Sequence, residues 1–272
     1  GMLSFLPDEQ IAQVLAIGSY EDEPYLLLAT KKGMVKKTEL SAYDTPRQAG
    51  VIALTFRTED DELIGAGLAG PEDDVLLISK HGQAIRFNAS DEQLRPMGRA
   101  TSGVTGMKFR GDDELLSMAM IDNDLPEDAW YVFTVTDEGY GKRTPVSDYR
   151  VQGRGGLGIK AMKLNAKRGE LVGGLICRES DEIIAIKHSG QITRSGVDEV
   201  DVHGRDTMGV RFVGVNDDDA VSLIALNPEA SLVDEDESTE VDSMVNDGSA
   251  ENTGAEPQPV NDTANAEEDE RE

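Results

Sequence analysis

Val75-Leu76-Leu77-Ile78-Ser79-Lys80-His81-Gly82-Gln83-Ala84-Ile85-Arg86-Phe87 is an apolar run, a turn glycine and a second short run that ends beside a cation. The runs are rich in Val, Ile and Leu and are bounded by Gly, Asp, Asn or Pro, which is the pattern of short strands. Glycine supplies positive φ at the turn without steric cost, so the stretch reads as a β-hairpin. The same arrangement recurs at Tyr25–Thr38, Trp130–Thr144 and Ile183–Ser195, about fifty residues apart. The turn glycines are Gly33, Gly82, Gly139 and Gly190, and four residues after each stands Lys37, Arg86, Arg143 or Arg194. Next comes an arginine-bearing loop ending in glycine and an aliphatic residue: Arg47 to Gly50-Val51, Arg99 to Gly103-Val104, Arg154 to Gly158-Ile159, Arg205 to Gly209-Val210. Each unit closes on a turn and an apolar run, at Asp61-Glu62-Leu63, Asp113-Glu114-Leu115, Gly169-Glu170-Leu171 and Asp219-Ala220-Val221. Self-similarity at this period marks a propeller or array.

Four strands are expected per unit, and in the first they fall at Tyr25–Thr30, Val35–Thr38, Val51–Phe56 and Leu63–Leu68. No segment keeps a 3.6-residue period, and Asp91–Leu94 forms a helical turn at most. Leu3–Ile17 aligns on Lys108–Ile121, with Phe5 on Phe109 and Ile11 on Leu115, so the chain is expected to start in the second half of a unit and to lack sequence upstream. The expected fold is all-β: a β-pinwheel or propeller-like array of four-stranded blades, four whole and one partial. The domain spans 1–228, with a partial blade over 1–17 and blades at about 24–68, 74–121, 129–177 and 182–226.

Composition limits the function. The chain has 272 residues, 38% of them hydrophobic, and a formal charge of −27. From Ser231 to Glu272 there are 15 Asp/Glu, the single cation Arg271 and no aromatic residue, so 229–272 reads as a disordered acidic tail. Tethered near basic loops, such a tail is expected either to keep the chain soluble or to compete with an anionic ligand. The remaining 230 residues still carry a net −13, which is not the usual footprint of a nucleic-acid binder. Any anion-binding role therefore rests on where the cations sit. The lone Cys177 lies in an apolar run and reads as a small core residue; it offers no disulfide and no thiolate metal site. No apolar stretch approaches a membrane span and no signal peptide is visible, so a cytoplasmic location is expected.

The recurring cations point to phosphate. A glycine-rich loop lets backbone N–H groups approach an anion closely, and a guanidinium adds a forked, permanently charged donor. Repeated loops would contact phosphates at intervals without reading base edges, so affinity would come from counterion release. The plainer alternative is that these cations are solvated edge-strand residues that discourage strand pairing. Four at matched offsets, each followed by a loop arginine, favour anion binding. The acidic turns read as solvated turn residues, not acid/base catalysts, and His81, His188 and His203 lack metal-ligand spacing.

Gly153-Arg154-Gly155-Gly156-Leu157-Gly158 fits the G-x-G-x-x-G dinucleotide fingerprint, but no helix follows to meet a pyrophosphate. Read from Gln152, the same stretch resembles the box motif Gln-Arg-Arg-Gly-Gly-Lys-Gly of the DNA gyrase A C-terminal domain. Tyr140-Gly141-Lys142-Arg143-Thr144, Arg95–Gly103 and the fifty-residue architecture from about Leu3 to Leu226 resemble that family too. Gly153 and Leu157 replace two box cations, so this is a degenerate copy with Arg154 alone retained. The resemblance implies a β-pinwheel that binds and bends double-stranded DNA around its rim. It implies a role in ATP-dependent negative supercoiling by a type IIA topoisomerase, DNA gyrase. The partners it implies are the remainder of gyrase A, in its homodimer, and gyrase B, in the heterotetramer. It implies no bond chemistry and no cofactor in this chain, with ATP and Mg²⁺ used elsewhere in the holoenzyme. The expected contacts are Lys36, Lys37, Arg86, Lys142, Arg143, Arg154 and Arg194, with Arg47, Arg99 and Arg205 as loop partners. Three alternatives remain. One is the corresponding C-terminal domain of topoisomerase IV, for decatenation or relaxation. Another is a protein-binding propeller, whose Trp-Asp and Gly-His signatures are absent at blade spacing. The third is an enzyme grafted on a propeller, which needs a convergent carboxylate or histidine cluster that the sequence does not show.

Overall fold

The computed structural model describes residues 10–20, 24–47, 50–124 and 126–227. Each unit opens with the hairpin that its turn glycine permits. The hairpins are β1 (Tyr25–Thr30) with β2 (Met34–Glu39), β4 (Asp74–Ser79) with β5 (Gln83–Asn88), β8 (Tyr131–Thr136) with β9 (Tyr140–Pro145), and β12 (Glu182–Lys187) with β13 (Ile192–Gly196). The closing apolar run of each unit returns to pair with the first strand of its hairpin. These runs are β3 (Leu63–Ala69), β7 (Leu115–Ile121), β11 (Leu171–Cys177) and β15 (Val221–Leu226). Short 3₁₀ turns follow the first and third hairpins, and the described residues contain no α-helix. Asp91–Leu94 is a turn closed by Leu94 N–H on the Ser90 carbonyl at 2.8 Å.

The remaining strands are only two residues long: β6 (Val104–Thr105), β10 (Ile159–Lys160) and β14 (Val210–Arg211). Each leaves its own unit and pairs with the hairpin of the unit before, β6 on β2, β10 on β5 and β14 on β9. The sheets are therefore β3-β1-β2-β6, β10-β5-β4-β7, β11-β8-β9-β14 and the three-stranded β13-β12-β15. Two residues make too few ladder bonds to hold an edge, and the turn glycine supplies the rest. The Gly33 carbonyl accepts from the N–H groups of Gly106 and Met107 at 2.8 and 3.2 Å. Gly82 does the same for Ala161 and Met162, and Gly139 for Phe212 and Val213.

Strand exchange corrects two expectations. The fourth strand of a sheet belongs to the following unit, so a sheet is not one stretch of chain. Val51–Phe56 forms no strand. Residues 10–17, the described part of the expected partial blade, are exposed and form no strand either. The expected tail, 229–272, lies outside the described residues.

The core sits between successive sheets. Val75 and Leu77 of β4 pack toward the first sheet with Leu27, Val35 and Phe87, while Leu76 and Ile78 pack toward the third with Val132 and Val146. Phe133 and Val135 of β8 face the fourth sheet with Ile183, Ala185 and Val221. A strand buried on both faces must be apolar at consecutive positions, which is why β4 reads as a continuous run. Cys177 is buried in the last of these layers, and burial pushes its thiol up to about 12.

The acidic turns fasten each closing run to its hairpin. The Asp61 carboxylate accepts from the Lys32 and Glu62 N–H groups and the Thr30 hydroxyl, Asp113 from His81 and Glu114 N–H, and Asp219 from Ser189 and Ala220 N–H. The third unit reverses the arrangement. Asp137 in the hairpin turn accepts from Glu138 and Glu170 N–H, and a Cβ on Gly169 would overlap its carboxylate. The aspartate has moved to the other side of the joint, and the glycine opposite makes room for it.

Gly139 and Gly190 separate the two demands on a turn glycine. Both have left-handed φ, +76° and +81°. A Cβ on Gly139 would overlap the Val213 carbonyl of the exchanged segment, whereas one on Gly190 meets nothing within 4 Å. In urea denaturation, Gly139→Ala is expected to cost about 3 kcal/mol and Gly190→Ala about 1 kcal/mol. Equal costs would show that the exchanged strand adds nothing.

Candidate nucleic-acid interface

In the first three units the cation four residues after the turn glycine faces inward. Lys37, Arg86 and Arg143 are buried. Lys37 Nζ donates to the Ala89 carbonyl at 2.6 Å and to Asp91 at 2.7 Å, and lies 4.2 Å from the Tyr25 ring centroid. Arg86 Nε donates to Asp74 at 2.7 Å, and its Nη1 reaches Glu127 and the carbonyls of Val146 and Tyr149. Arg143 donates to the Val200 carbonyl at 2.5 Å and to Glu179 at 2.8 Å. Each side chain thus crosses to the turn after the next unit's hairpin. The backbone makes the same crossing: the carbonyls of Lys37, Arg86 and Arg143 accept from the N–H groups of Met97, Gln152 and His203.

Lys36 and Lys142, one position earlier, are fully buried as well and hold the arginine loops. Lys36 Nζ donates to the carbonyls of Ala53 and Arg99. Lys142 Nζ donates to the carbonyls of Gly204 and Arg205 and, at 3.4 Å, to the Thr207 hydroxyl. Burial lowers Lys36 to about 8, with the Arg99 charge adding to it. Burial lowers Lys142 to about 7, opposed by Asp206 and reinforced by Arg205. The second unit has Ile85 here, and its loop is held differently: a Cβ on Gly156 would touch the Ile85 side chain at 3.4 Å. The expectation that Lys36, Lys37, Arg86, Lys142 and Arg143 line an anion-binding rim is corrected accordingly. Their heads are enclosed by carbonyls and carboxylates that a phosphate would have to displace.

The loop arginines, with Arg194 of β13, present the exposed charge. Arg47 and Arg194 are exposed, and Arg99, Arg154 and Arg205 are partly exposed. Arg154 donates from Nε to the Gln93 carbonyl at 2.5 Å and from Nη1 to that of Thr105 at 3.0 Å. In the box, Gln152 and Gly155 N–H are engaged by Arg86 and Gly106 carbonyls, and the Gly156 carbonyl accepts from Lys108. Gln152, Gly153, Gly155, Gly156, Leu157 and Gly158 therefore shape an inter-unit joint as much as a cradle. Gly155 and Gly158 carry φ of +78° and +73° there.

Further cations lie on the same segments and escaped the repeat pattern because none of their offsets carries a cation in all four units. Residues 45–57 hold two Lys/Arg and no acid, 95–111 four and none, 149–169 six and none, and 203–215 two and one, Asp206. These are the exchanged segments with their flanks. Absence of acids, not repetition of bases, was the signal in the sequence. Lys108, Arg110, Arg150, Lys160, Lys163 and Arg211 are exposed. Tyr140 is flanked by guanidinium groups, Arg168 at 3.7 Å and Arg211 at 4.8 Å from its ring centroid.

Hydrogen bonds join these segments end to end. Thr55 N–H and Arg57 reach the carbonyls of Thr101 and Gly103, Gly155 N–H that of Gly106, Lys163 N–H that of Thr207, and Arg205 Nη1 that of Lys160. A cationic strip, nearly free of acid, thus runs across all four units of a strongly acidic chain. Among the described residues no group of three or more His, Cys, Asp or Glu is placed to hold a metal, and no helix is long and apolar enough to cross a membrane.

Glycine-turned sheets, three of them completed by a neighbour's strand and edged by such a strip, define a strand-exchanged β-propeller with a cationic border. The family model for the DNA gyrase C-terminal domain, beta-propeller, matches residues 24–69, 73–122, 131–178 and 181–227, and the chain belongs to this family. It is 53% identical to the DNA gyrase A protein of Nocardioides sp. over 92% of its length and 30% of the relative's. It is 56% identical to the DNA gyrase A protein of Streptomyces coelicolor over 90% of its length and 28% of the relative's. The chain thus spans about a third of the curated relatives it matches. A solved DNA gyrase A C-terminal domain superposes with a TM-score of 0.72 at 26% identity, covering 83% of this chain and 73% of that one. The C-terminal domain of DNA topoisomerase IV gives a TM-score of 0.76 at 21% identity, over 88% of this chain and 73% of the other, a likeness of fold alone.

Lys142 gives the loop clamp a pH signature. Its folded pKa of about 7 lies below the ordinary 10.5, so the unfolded chain binds more protons between those values and stability rises with pH across that window. Between pH 7.5 and 9.5, the wild-type chain is expected to gain up to about 1.4 kcal/mol per pH unit relative to Lys142→Met, by urea denaturation. A pH-independent difference between the two would mean that burial in the loop clamp does not depress the Lys142 amine.

Proposed function

We propose that this chain binds duplex DNA along the strip of exchanged segments and bends it across successive units, as the wrapping part of gyrase A. The observation that carries this reading is the joined, acid-poor strip on an otherwise acidic chain. Its cations are spread over four units on surface loops, which suits phosphate contact and deformation rather than sequence readout. Arg47, Arg99, Arg154, Arg194 and Arg205 would contact the backbone, joined by Lys108, Lys160, Lys163 and Arg211. Lys36, Lys37, Arg86, Lys142 and Arg143 would act through the loops they hold.

In the whole protein the bent duplex would be presented to the strand-passage gate with a fixed hand, in support of negative supercoiling. The remainder of gyrase A, in its homodimer, and gyrase B would supply the bond chemistry with ATP and Mg²⁺; this chain would need no cofactor. Such work belongs in the cytoplasm, on the chromosome. The names of the relatives favour gyrase over topoisomerase IV for this chain.

Duplex titration at several salt concentrations tests the reading. If each unit neutralises about two phosphates, the log–log salt slope is expected to be about −7, and Arg99→Gln, Arg154→Gln or Arg205→Gln should each reduce it by about 0.9. The duplex ends should also approach one another by energy transfer. A slope of about zero, or a straight duplex in the complex, would overturn the proposal.

A further inference from the structure

The Tyr140 ring carries two cations. The guanidinium carbon of Arg168 lies 3.7 Å from its centroid and that of Arg211 4.8 Å. The other rings that meet a cation among the described residues hold one each: Lys37 on Tyr25, Arg143 on Tyr131 and Arg178 on Trp130. Lys37 and Arg143 also pair with carboxylates, Asp91 and Glu179. Arg168 and Arg211 form no ion pair among the described residues.

Three segments build this arrangement. Tyr140 opens β9, and its ring packs against the core layer that holds Leu76 and Val132. Arg211, on the exchanged β14, stands opposite Tyr140 in the ladder and donates from Nη2 to the Tyr140 hydroxyl at 3.1 Å. Arg168 comes from the turn before β11. Asn165 closes that turn: its side-chain oxygen accepts from the N–H groups of Lys167 and Arg168 at 3.0 and 3.1 Å, and its carbonyl from those of Arg168 and Gly169. The turn fixes where the Arg168 side chain starts, and the ring fixes where it ends.

Two guanidinium carbons on one ring are closer together than the Debye length at 0.1 M salt, about 10 Å, so they repel each other. An aromatic face attracts each cation but neutralises neither. An anion shared by the two would remove the repulsion and accept forked N–H bonds from both. Arg211 is exposed and Arg168 half-buried, so both remain open to a ligand.

We propose that Arg168 and Arg211 share one backbone phosphate of the bound duplex, and that Tyr140 is the positioning residue that holds them for it. Such a site presupposes the duplex binding proposed above and adds Arg168 to its contacts. The phosphate would tie the third unit to the fourth, across a joint whose exchanged strand is only two residues long.

Duplex titration over a range of salt separates one shared phosphate from two. Arg168→Gln and Arg211→Gln remove one guanidinium each, and the double variant removes the pair. A shared phosphate is lost once, so the double variant should reduce the log–log slope by about 0.9; two independent contacts would reduce it by about 1.8 and overturn the shared site. Tyr140→Leu keeps both charges but frees both side chains, and should weaken binding at least about fivefold at fixed salt, since two long side chains must then be ordered by the ligand. Tyr140→Phe keeps the ring and should retain most of the affinity. Wild-type affinity in Tyr140→Leu, or equal weakness in Tyr140→Phe, would contradict the positioning role. A wild-type slope of about zero would remove the duplex reading and this site with it, whereas a wild-type slope of about −7 that the double variant leaves unchanged would remove this site alone.

Discussion

Every joint between units depends on a short piece of hairpin: the turn glycine and the cation four residues beyond it. The glycine's carbonyl takes two N–H groups from the next unit's segment, and absence of a Cβ lets that segment's backbone come within contact distance. The cation then reaches over with its side chain while its own carbonyl holds the loop ahead of the segment. A buried guanidinium or ammonium is costly unless its donors are met, and here carbonyls and carboxylates meet them. Removing the groups that meet them would leave an uncompensated charge between two sheets, and removing Arg86 would strand the buried Asp74. The charges therefore tie each unit to the next and set where the arginine loops stand.

That division of labour explains how an acidic chain can offer a cationic border. The buried cations contribute little field at the surface, since most are neutralised locally by Asp74, Asp91, Glu127 and Glu179. Most of the exposed ones are gathered on the exchanged segments and their flanks, from which acids are nearly excluded. Aspartates concentrate instead at the turns that fasten the closing runs, where backbone N–H groups engage them. Net charge is a poor guide to such a molecule, because a ligand meets the local potential and not the sum.

The hairpins, their turn glycines and the four-unit repeat were legible in the sequence because each depends on local pattern: apolar alternation, glycine and punctuation by Asp or Pro. Tyr25–Thr30 was placed to the residue. Exchange was not legible. Val104–Thr105 and Val51-Ile52 look alike as sequence, yet only the first is paired, on a hairpin about seventy residues earlier that no local pattern announces. The direction of Lys37, Arg86 and Arg143 was hidden for a related reason. A cation recurring at a fixed offset is equally consistent with a common ligand and with a common structural joint, and burial between sheets decides for the joint. Arg154 stands in a loop whose basic character is plain in the sequence, but the carbonyls that fasten it belong to the previous unit and lie 49 and 61 residues away.

Amine-reactive footprinting of the lysines, with and without duplex, is the most direct test of this sorting of charge. Lys108, Lys160 and Lys163 should react in the free chain and be shielded by DNA, while Lys36, Lys37 and Lys142 should stay unreactive in both states. Ready labelling of Lys36, Lys37 and Lys142 in the free chain, lost on adding DNA, would place the contacts on the hairpins and contradict the structural role given to them.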